Sequence, residues 1–378
     1  MTFSICAAVI VKNEERCISR CIESILHKFD EYLFVDSGSS DNTNIIINEK
    51  FSSSPFKFKL FNVEWEDSFS KLRNVAINNC TSDAIFFIDA DEVLLSSKID
   101  IIKNFRFILE SKNKHKITLC PIINNHDNHK LKSIPRGFFL KHGFYYFGFV
   151  HEDIRNTRVS NIVKFFSSII IQHDGYKNEI QESKKKQDRN KKLNLLNISI
   201  EPNNLRWIFF YCRDLMGMVS YNEIYFTMSH LIDIDKVILD GYGKKKKSVY
   251  SFLILDLIST LKLADFSYEN YSEILEAMDD IHPNNGNTFY YKKMREILKW
   301  KSHINNILLQ AIDYINENNN HSFSMHSDGY HIDQLLAICM YENGYIEHAG
   351  KIFLSLKNND FQTSIMNKYM KLLSKHGI

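Results

Sequence analysis

Residues 84–94 read AIFFIDADEVL, an apolar run that stops at two carboxylates one residue apart, Asp89 and Asp91, with Glu92 directly after. Such a run has the character of a buried strand. Acids crowded at its end are either badly placed negative charge or a holder for something positive. Two carboxylates at i and i+2 can hold one hard cation if the loop turns both inward. Mg²⁺ or Mn²⁺ prefers oxygen ligands and keeps coordination sites for phosphate oxygens. The plainer alternative is an exposed acidic loop capping the next helix.

The sequence before this stretch gives it a setting. FSICAAVIV (3–11) has the pattern of a buried strand, and the segment after it places Ile18, Cys21, Ile22 and Ile25 on one helical face. EYLFVDSGSSDNT (31–43) is a second strand and a turn rich in Gly, Ser and Asp, leading into the helix NTNIIINEKF (42–51). FKFKLFNV (56–63) is a third strand, and SFSKLRNVAINNC (68–80) has helical spacing. This alternation predicts a mainly parallel sheet flanked by helices, whose ligands bind beyond the carboxyl ends of the strands. Asp36 and the Asp89/Asp91 pair both fall at such ends and are expected in one crevice.

From about residue 117 the pattern changes to short strands, ITLCPII and GFFLKHGFYYFGFVHEDI, and then FFSSIIIQHDGY. A lysine-rich passage introduces a second half that is almost entirely helical. Two domains are expected, 1–190 and 191–378. Within the second, HIDQLLAICMYENGYIEHAGKIFLSLKN (331–358) is a helix, Gly-Tyr turn and helix, either one tetratricopeptide-like hairpin or a generic one.

At 378 residues the chain suits two domains or one large domain with an extension. Hydrophobic residues at 44% and charged residues at 24% argue against wholesale disorder. Lysine and arginine number 47 against 45 acids, so a global nucleic-acid or membrane-surface role has no support. Seven scattered cysteines show no paired metal-ligand spacing, which predicts reduced thiols; Cys17 and Cys21, four apart, fit a packed helix face. The N-terminus lacks the basic lead of a signal peptide, and no run approaches the roughly 18 apolar residues of a membrane span. A cytoplasmic location without a transmembrane segment is expected.

Four motifs in order, AVIVKNEE, VDSGSSDNT, WEDSFSKLRNVAI and FFIDADEVL, resemble the nucleotide-diphospho-sugar domain of family 2 glycosyltransferases, with the GT-A fold. The resemblance covers roughly the first 180 residues. It implies a base contact for Asp36, a nucleotide contact for Arg73, and nucleotide-sugar and metal binding around Asp89, Ala90 and Asp91. Many members carry two adjacent acids at the second strand end, where this chain has Asp36 and Ser37. FGFVHEDI and QHDGY resemble a subgroup with a Val-His-Glu segment followed by His-x-Gly-Tyr. By that analogy Glu152 is the acceptor-side base, His151 and Asp153 lie close by, and His173 is a metal or diphosphate ligand. An acceptor hydroxyl or thiol must lose a proton as it attacks, and a carboxylate or imidazole can take it.

LNLLNISIEPNNLRWIFFYCRDL (193–215) resembles a segment of the peptide S-glycosyltransferases that modify glycocin bacteriocins. The implied function is inverting transfer of a hexose from a nucleotide sugar, a UDP-hexose, to a cysteine or serine of a precursor peptide. The helical half would bind the acceptor or form a homodimer. The alternatives are transfer to a lipid-linked or surface-polysaccharide precursor and a sugar-nucleotide sensor that has lost catalysis. Three other stretches are set aside. GYGKKKKS (241–248) lacks phosphate-loop spacing and suits a solvated basic loop; Lys184, Lys185 and Lys186 with Arg189, Lys191 and Lys192 suit a solvated helix face; HDNH (126–129) suits a polar loop.

Overall fold

A computed structural model describes residues 2–52, 55–125, 130–173, 180–233, 236–237, 249–264, 271–317 and 328–377. The stretches 126–129 and 241–248, and Asp174 to Tyr176 of the His-x-Gly-Tyr motif, lie outside them. The chain forms two compact units, Met1–Val219 and Ser220–Ile378.

In the first unit, β1 (Ile5–Val11), β2 (Glu31–Asp36), β3 (Lys57–Asn62) and β4 (Ala84–Asp89) are parallel in the order β3-β2-β1-β4. β1 is buried along almost its whole length because helices cover both faces. Ile5, Ala7 and Val9 face one core with α1 (Ile18–Ile25) and α2 (Thr43–Ser52). Cys6 and Ala8 face the other with α3 (Phe69–Asn79). As the helical spacing predicts, Ile18, Cys21, Ile22 and Ile25 are the buried residues of α1. Ser68 caps α3, accepting from the amide of Lys71.

AIFFIDADEVL is not one strand. It breaks at Ala90 and Asp91 into β4 and β5 (Glu92–Leu94), with α4 (Lys98–Glu110) following. The sheet continues from β4 through β8 (Gly137–Phe139), β6 (Ile117–Asn124) and β11 (Val163–His173), and ends on β5; β7 (Lys130–Leu131) pairs with β6. β4 is antiparallel to β8, β6 is parallel to β11, and β5 is antiparallel to β11. A parallel half followed by a mixed half, with flanking helices, is the GT-A architecture. Because only two residues join β4 to β5, the last strand of the order returns to the acidic turn. There His173 pairs in register with Glu92.

A separate hairpin, β9 (Phe144–Phe147) and β10 (Asp153–Asn156), carries the Val-His-Glu-Asp segment in its loop. Two helices follow β11: α5 (Ile180–Ile200) and α6 (Leu205–Asp214). The units part between Val219 and Ser220, in place of the expected 190/191 division. The reason is that α5 and α6 hydrogen-bond to the β9–β10 loop: Asn197 of α5 accepts from the Phe149 amide at 2.8 Å and donates to the Val150 carbonyl at 2.9 Å.

The second unit is all-α in its described residues, with helices at Tyr221–Leu231, Val249–Ala264, Tyr271–Ile281, Gly286–Glu317, Tyr330–Glu342, Ile346–Asn358 and Ser364–Leu373. The predicted hairpin is Tyr330–Glu342 with Ile346–Asn358, turned by Gly344 at φ +87°, and Ala337, Ala349 and Phe353 share its core. No helix among the described residues is long and apolar enough to cross a membrane. All seven cysteines are free, and every one except the half-buried Cys80 is buried.

Candidate active site

The register of the parallel strands sets the first part of the site. Val11 lies beside Asp36 and Ile10 beside Asp89, so the two acids end neighbouring strands of β1 at the same edge. With strands about 4.8 Å apart, the two strand ends are separated by roughly 10 Å. Asp36 is 2% exposed. Its carboxylate accepts from the amides of Gly38 (3.2 Å) and Ser39 (3.0 Å), from the Ser39 hydroxyl, and from Asn44 Nδ2 (3.1 Å). Asp36 therefore shapes the Gly-Ser turn, which is closed from the β1 side by Asn13 accepting from the Ser40 amide at 2.7 Å.

Asp89 and Asp91 have different surroundings. Asp89 Oδ1 accepts from Arg73 Nη2 at 3.2 Å and its Oδ2 from Arg136 Nη2 at 2.6 Å. Burial alone would raise its pKa, but Arg136 and Arg73 outweigh burial and hold it well below the usual carboxylate range. Glu92, 2% exposed, shares Arg136 at 2.7 Å and accepts the Asp89 amide at 2.8 Å. Burial pushes Glu92 upward, and the neighbouring Asp89 charge adds to the shift. Arg136 had no role in the sequence reading. It lies 47 residues from Asp89, in a loop before a three-residue strand, where no periodicity marks it.

Asp91 is as exposed as Asp89, 36% against 37%, but has a different partner. Its Oδ2 lies 3.1 Å from His173 Nε2. His173 Nδ1 faces the Asn125 side-chain oxygen at 3.2 Å and Nε2 faces Asp91, so each ring nitrogen has an oxygen partner. The hydrogen bond to Asp91 raises the His173 pKa. One carboxylate oxygen and one imidazole nitrogen, with the far nitrogen oriented by an amide, form a donor set that fits a divalent cation; binding would displace the shared proton. Glu14 is raised by burial and further by the charges of Asp91, Asp41 and Asp89, as expected for a mouth of negative potential.

Glu152, His151 and Asp153 belong to the β9–β10 hairpin. Arg73, stacked over the Phe87 and Tyr146 rings, gives its Nε to Glu152 Oε1 at 2.8 Å, and so ties Glu152 to Asp89. His151 has φ +51°; its ring stacks on Phe210 at 4.3 Å, and its Nε2 lies 2.7 Å from Asp214 Oδ2. Burial opposes ionisation of Asp214, yet His151 and Arg213 lower its pKa. Asp153 is 40% exposed, with Arg206 Nη1 at 3.7 Å and Arg155 Nε at 3.9 Å. Arg73, Asp89, Glu152 and Arg136 thus form one network; Asp91 and His173 form an adjoining pair; Asp36 is apart from both, across β1. Ala90, 4% exposed, contributes the turn between the two acids.

Residues 6–105 match the family described as glycosyl transferase family 2. Among relatives, it is 28% identical over 291 residues to the SPbeta prophage-derived glycosyltransferase SunS of Bacillus subtilis (strain 168), and equally to glycosyltransferase SunS of Bacillus phage SPbeta. The match takes in 77% of this chain, and the chain spans 66% of the length of those relatives. Among solved structures, S. aureus TarS 1–349 in complex with UDP-GlcNAc aligns over 79% of this chain and 92% of its own, at 13% identity and a TM-score of 0.39.

Proposed function

We propose that the chain is a metal-dependent inverting glycosyltransferase that moves a hexose from a UDP-sugar to a cysteine or serine side chain of a precursor peptide. The observation that carries this reading is the split character of the Asp-x-Asp. Asp89 is bound by two guanidinium groups, Arg73 and Arg136, while Asp91, equally exposed, meets the imidazole of His173. Such an edge suits a diphosphate, with guanidinium groups behind and two ligand atoms in front. Asp91 and His173 would hold Mg²⁺ or Mn²⁺, which when bound supplies charge that stabilises a leaving diphosphate. The resemblance to glycocin S-glycosyltransferases suggests the acceptor class, and the 28% identity to the glycosyltransferase SunS supports glycosyl transfer.

Arg73 holds Asp89 and Glu152 in one line, placing donor-side and acceptor-side carboxylates at a fixed spacing. The base is Asp153 in preference to Glu152. Glu152 is 13% exposed and spends an oxygen on Arg73 at 2.8 Å, whereas the cations facing Asp153 stand at 3.7 Å or more. Asp153 removes the acceptor proton as the hydroxyl or thiol attacks the anomeric carbon from the side opposite the leaving diphosphate. Asp36, through the turn it shapes, forms the wall of the base pocket.

The test is direct. Purified protein with Mn²⁺ is offered UDP-glucose and other nucleotide sugars, with cysteine peptides, serine peptides and a lipid-linked acceptor, and products are read by mass spectrometry. One added hexose on a peptide side chain is the expected result. Transfer only to the lipid acceptor would replace the peptide reading, and neither transfer nor donor hydrolysis with any sugar nucleotide would end the enzymatic one.

A further inference from the structure

We infer that Arg206, on α6, is the positioning residue of the acceptor-side carboxylate: it fixes Asp153 by gripping the backbone of the two residues before it. This rests on the reading of Asp153 as the base. The guanidinium meets three consecutive residues. Arg206 Nη2 donates to the His151 carbonyl at 2.7 Å and to the Glu152 carbonyl at 3.0 Å, and its Nε also reaches the His151 carbonyl at 3.3 Å. Nη1, on the far side of the fork, faces Asp153 Oδ1 at 3.7 Å. The plane is held by two aromatic rings, Trp207 at 5.4 Å and Phe210 at 5.1 Å. Arg206 is 16% exposed as a side chain, and its fork geometry is one a lysine cannot reproduce.

The loop it grips does not adopt its shape on intrinsic preference. His151 at φ +51° lies in the left-handed region, which is strained for an L-residue. Gly148, four residues from Glu152, is at φ +100°, and a Cβ there would come within 2.7 Å of Trp207. Two short hydrogen bonds from a charged donor, Arg206, act against the strain at His151. A second grip holds the His151 ring: Asp214 takes its Nε2 and is itself held by Asn194 Nδ2 at 3.1 Å. The Glu-Pro-x-Asn-x-x-Trp helix start thereby acquires a role. Its Asn204 caps α6 by accepting from the Arg206 amide, which places the guanidinium under the loop.

The experiment compares Arg206→Lys and Arg206→Ala with the wild type in three readouts. The first is hydrogen exchange of amides 148–154, which should rise at least tenfold in Arg206→Lys whether or not the chain is a transferase; unchanged exchange overturns the grip. The second is kinetics: kcat for peptide transfer should fall 10- to 100-fold with the KM for UDP-sugar unchanged. An unchanged kcat beside raised exchange overturns the positioning role while leaving the transferase reading intact. A wild type without transferase activity overturns that reading instead, and with it the role at Asp153. The third is rescue: guanidinium ion added to Arg206→Ala should restore part of kcat, and failure of rescue in a folded variant counts against the assignment. If Arg206→Ala does not fold, exchange and kinetics of Arg206→Lys carry the test.

Discussion

Asp89 and Asp91 are one residue apart, and replacing each should have a different consequence. Asp91 is 36% exposed and, among the described residues, its side chain hydrogen-bonds His173, so Asp91→Ala should cut transfer by about 10²–10³-fold and leave the thermal midpoint unchanged. Isothermal titration with Mn²⁺ should lose its binding signal in the same variant. Asp89→Asn is expected to destabilise the fold as well, because it removes the negative charge shared by the 7%-exposed Arg136 and the 13%-exposed Arg73. Denaturant unfolding of the two variants separates ligand from scaffold. At the acceptor side, Asp153→Asn should slow transfer to a serine peptide by about 10²-fold or more. Transfer to a cysteine peptide should suffer less, since a thiol of pKa about 8.5 supplies some thiolate unaided. Glu152→Gln should act mainly through Arg73, raising the KM for the donor. Equal kcat losses for serine and cysteine acceptors in Asp153→Asn would remove it as the base.

At the scale of elements, the parallel half was legible because its strands are long apolar runs and its helices carry a clear face, as in Ile18, Cys21, Ile22 and Ile25 of α1. The mixed half was not. β8 has three residues and β5 has three, too few to show a period, and their partners lie far away in sequence. The acids and histidines of the site announced themselves as residue types at strand ends. Arg136, Arg206 and Asp214 did not, because an arginine or aspartate on a loop or helix looks like solvated surface until the fold brings a carbonyl or imidazole to it. The α5–α6 turn shows the same dependence on tertiary contacts. Glu201 accepts from Arg155 at 2.7 Å, Asn204 at 2.9 Å and Trp207 Nε1 at 2.9 Å, and Arg155 first among them lowers its pKa to about 2. The unfolded value is about 4.3. A depressed carboxylate stabilises the fold above the unfolded value, and that contribution is lost as pH falls from about 4.3 toward 2. Glu201→Gln should therefore lower the thermal midpoint at pH 7, and the gap from wild type should close across that acidic window.

At the scale of the molecule, each unit has its own core, and every residue assigned to the donor lies in Met1–Val219. A fragment of residues 1–219 should bind UDP with the dissociation constant of the full chain and lose transfer to peptide if the helical unit recognises the acceptor. Calorimetry and a peptide assay on the same preparation check both halves. The state of the cysteines has a further consequence under the proposed transfer to thiols. Burial raises the pKa of Cys6, Cys17, Cys21 and Cys339, and takes Cys120 and Cys212 up to about 12, so at neutral pH these sulfurs are neither ionised nor reachable. Six of the seven thiols are in effect inert, the half-buried Cys80 apart. Iodoacetamide should leave the native protein working while it blocks a substrate's thiol, and only urea should open all seven sulfurs to alkylation.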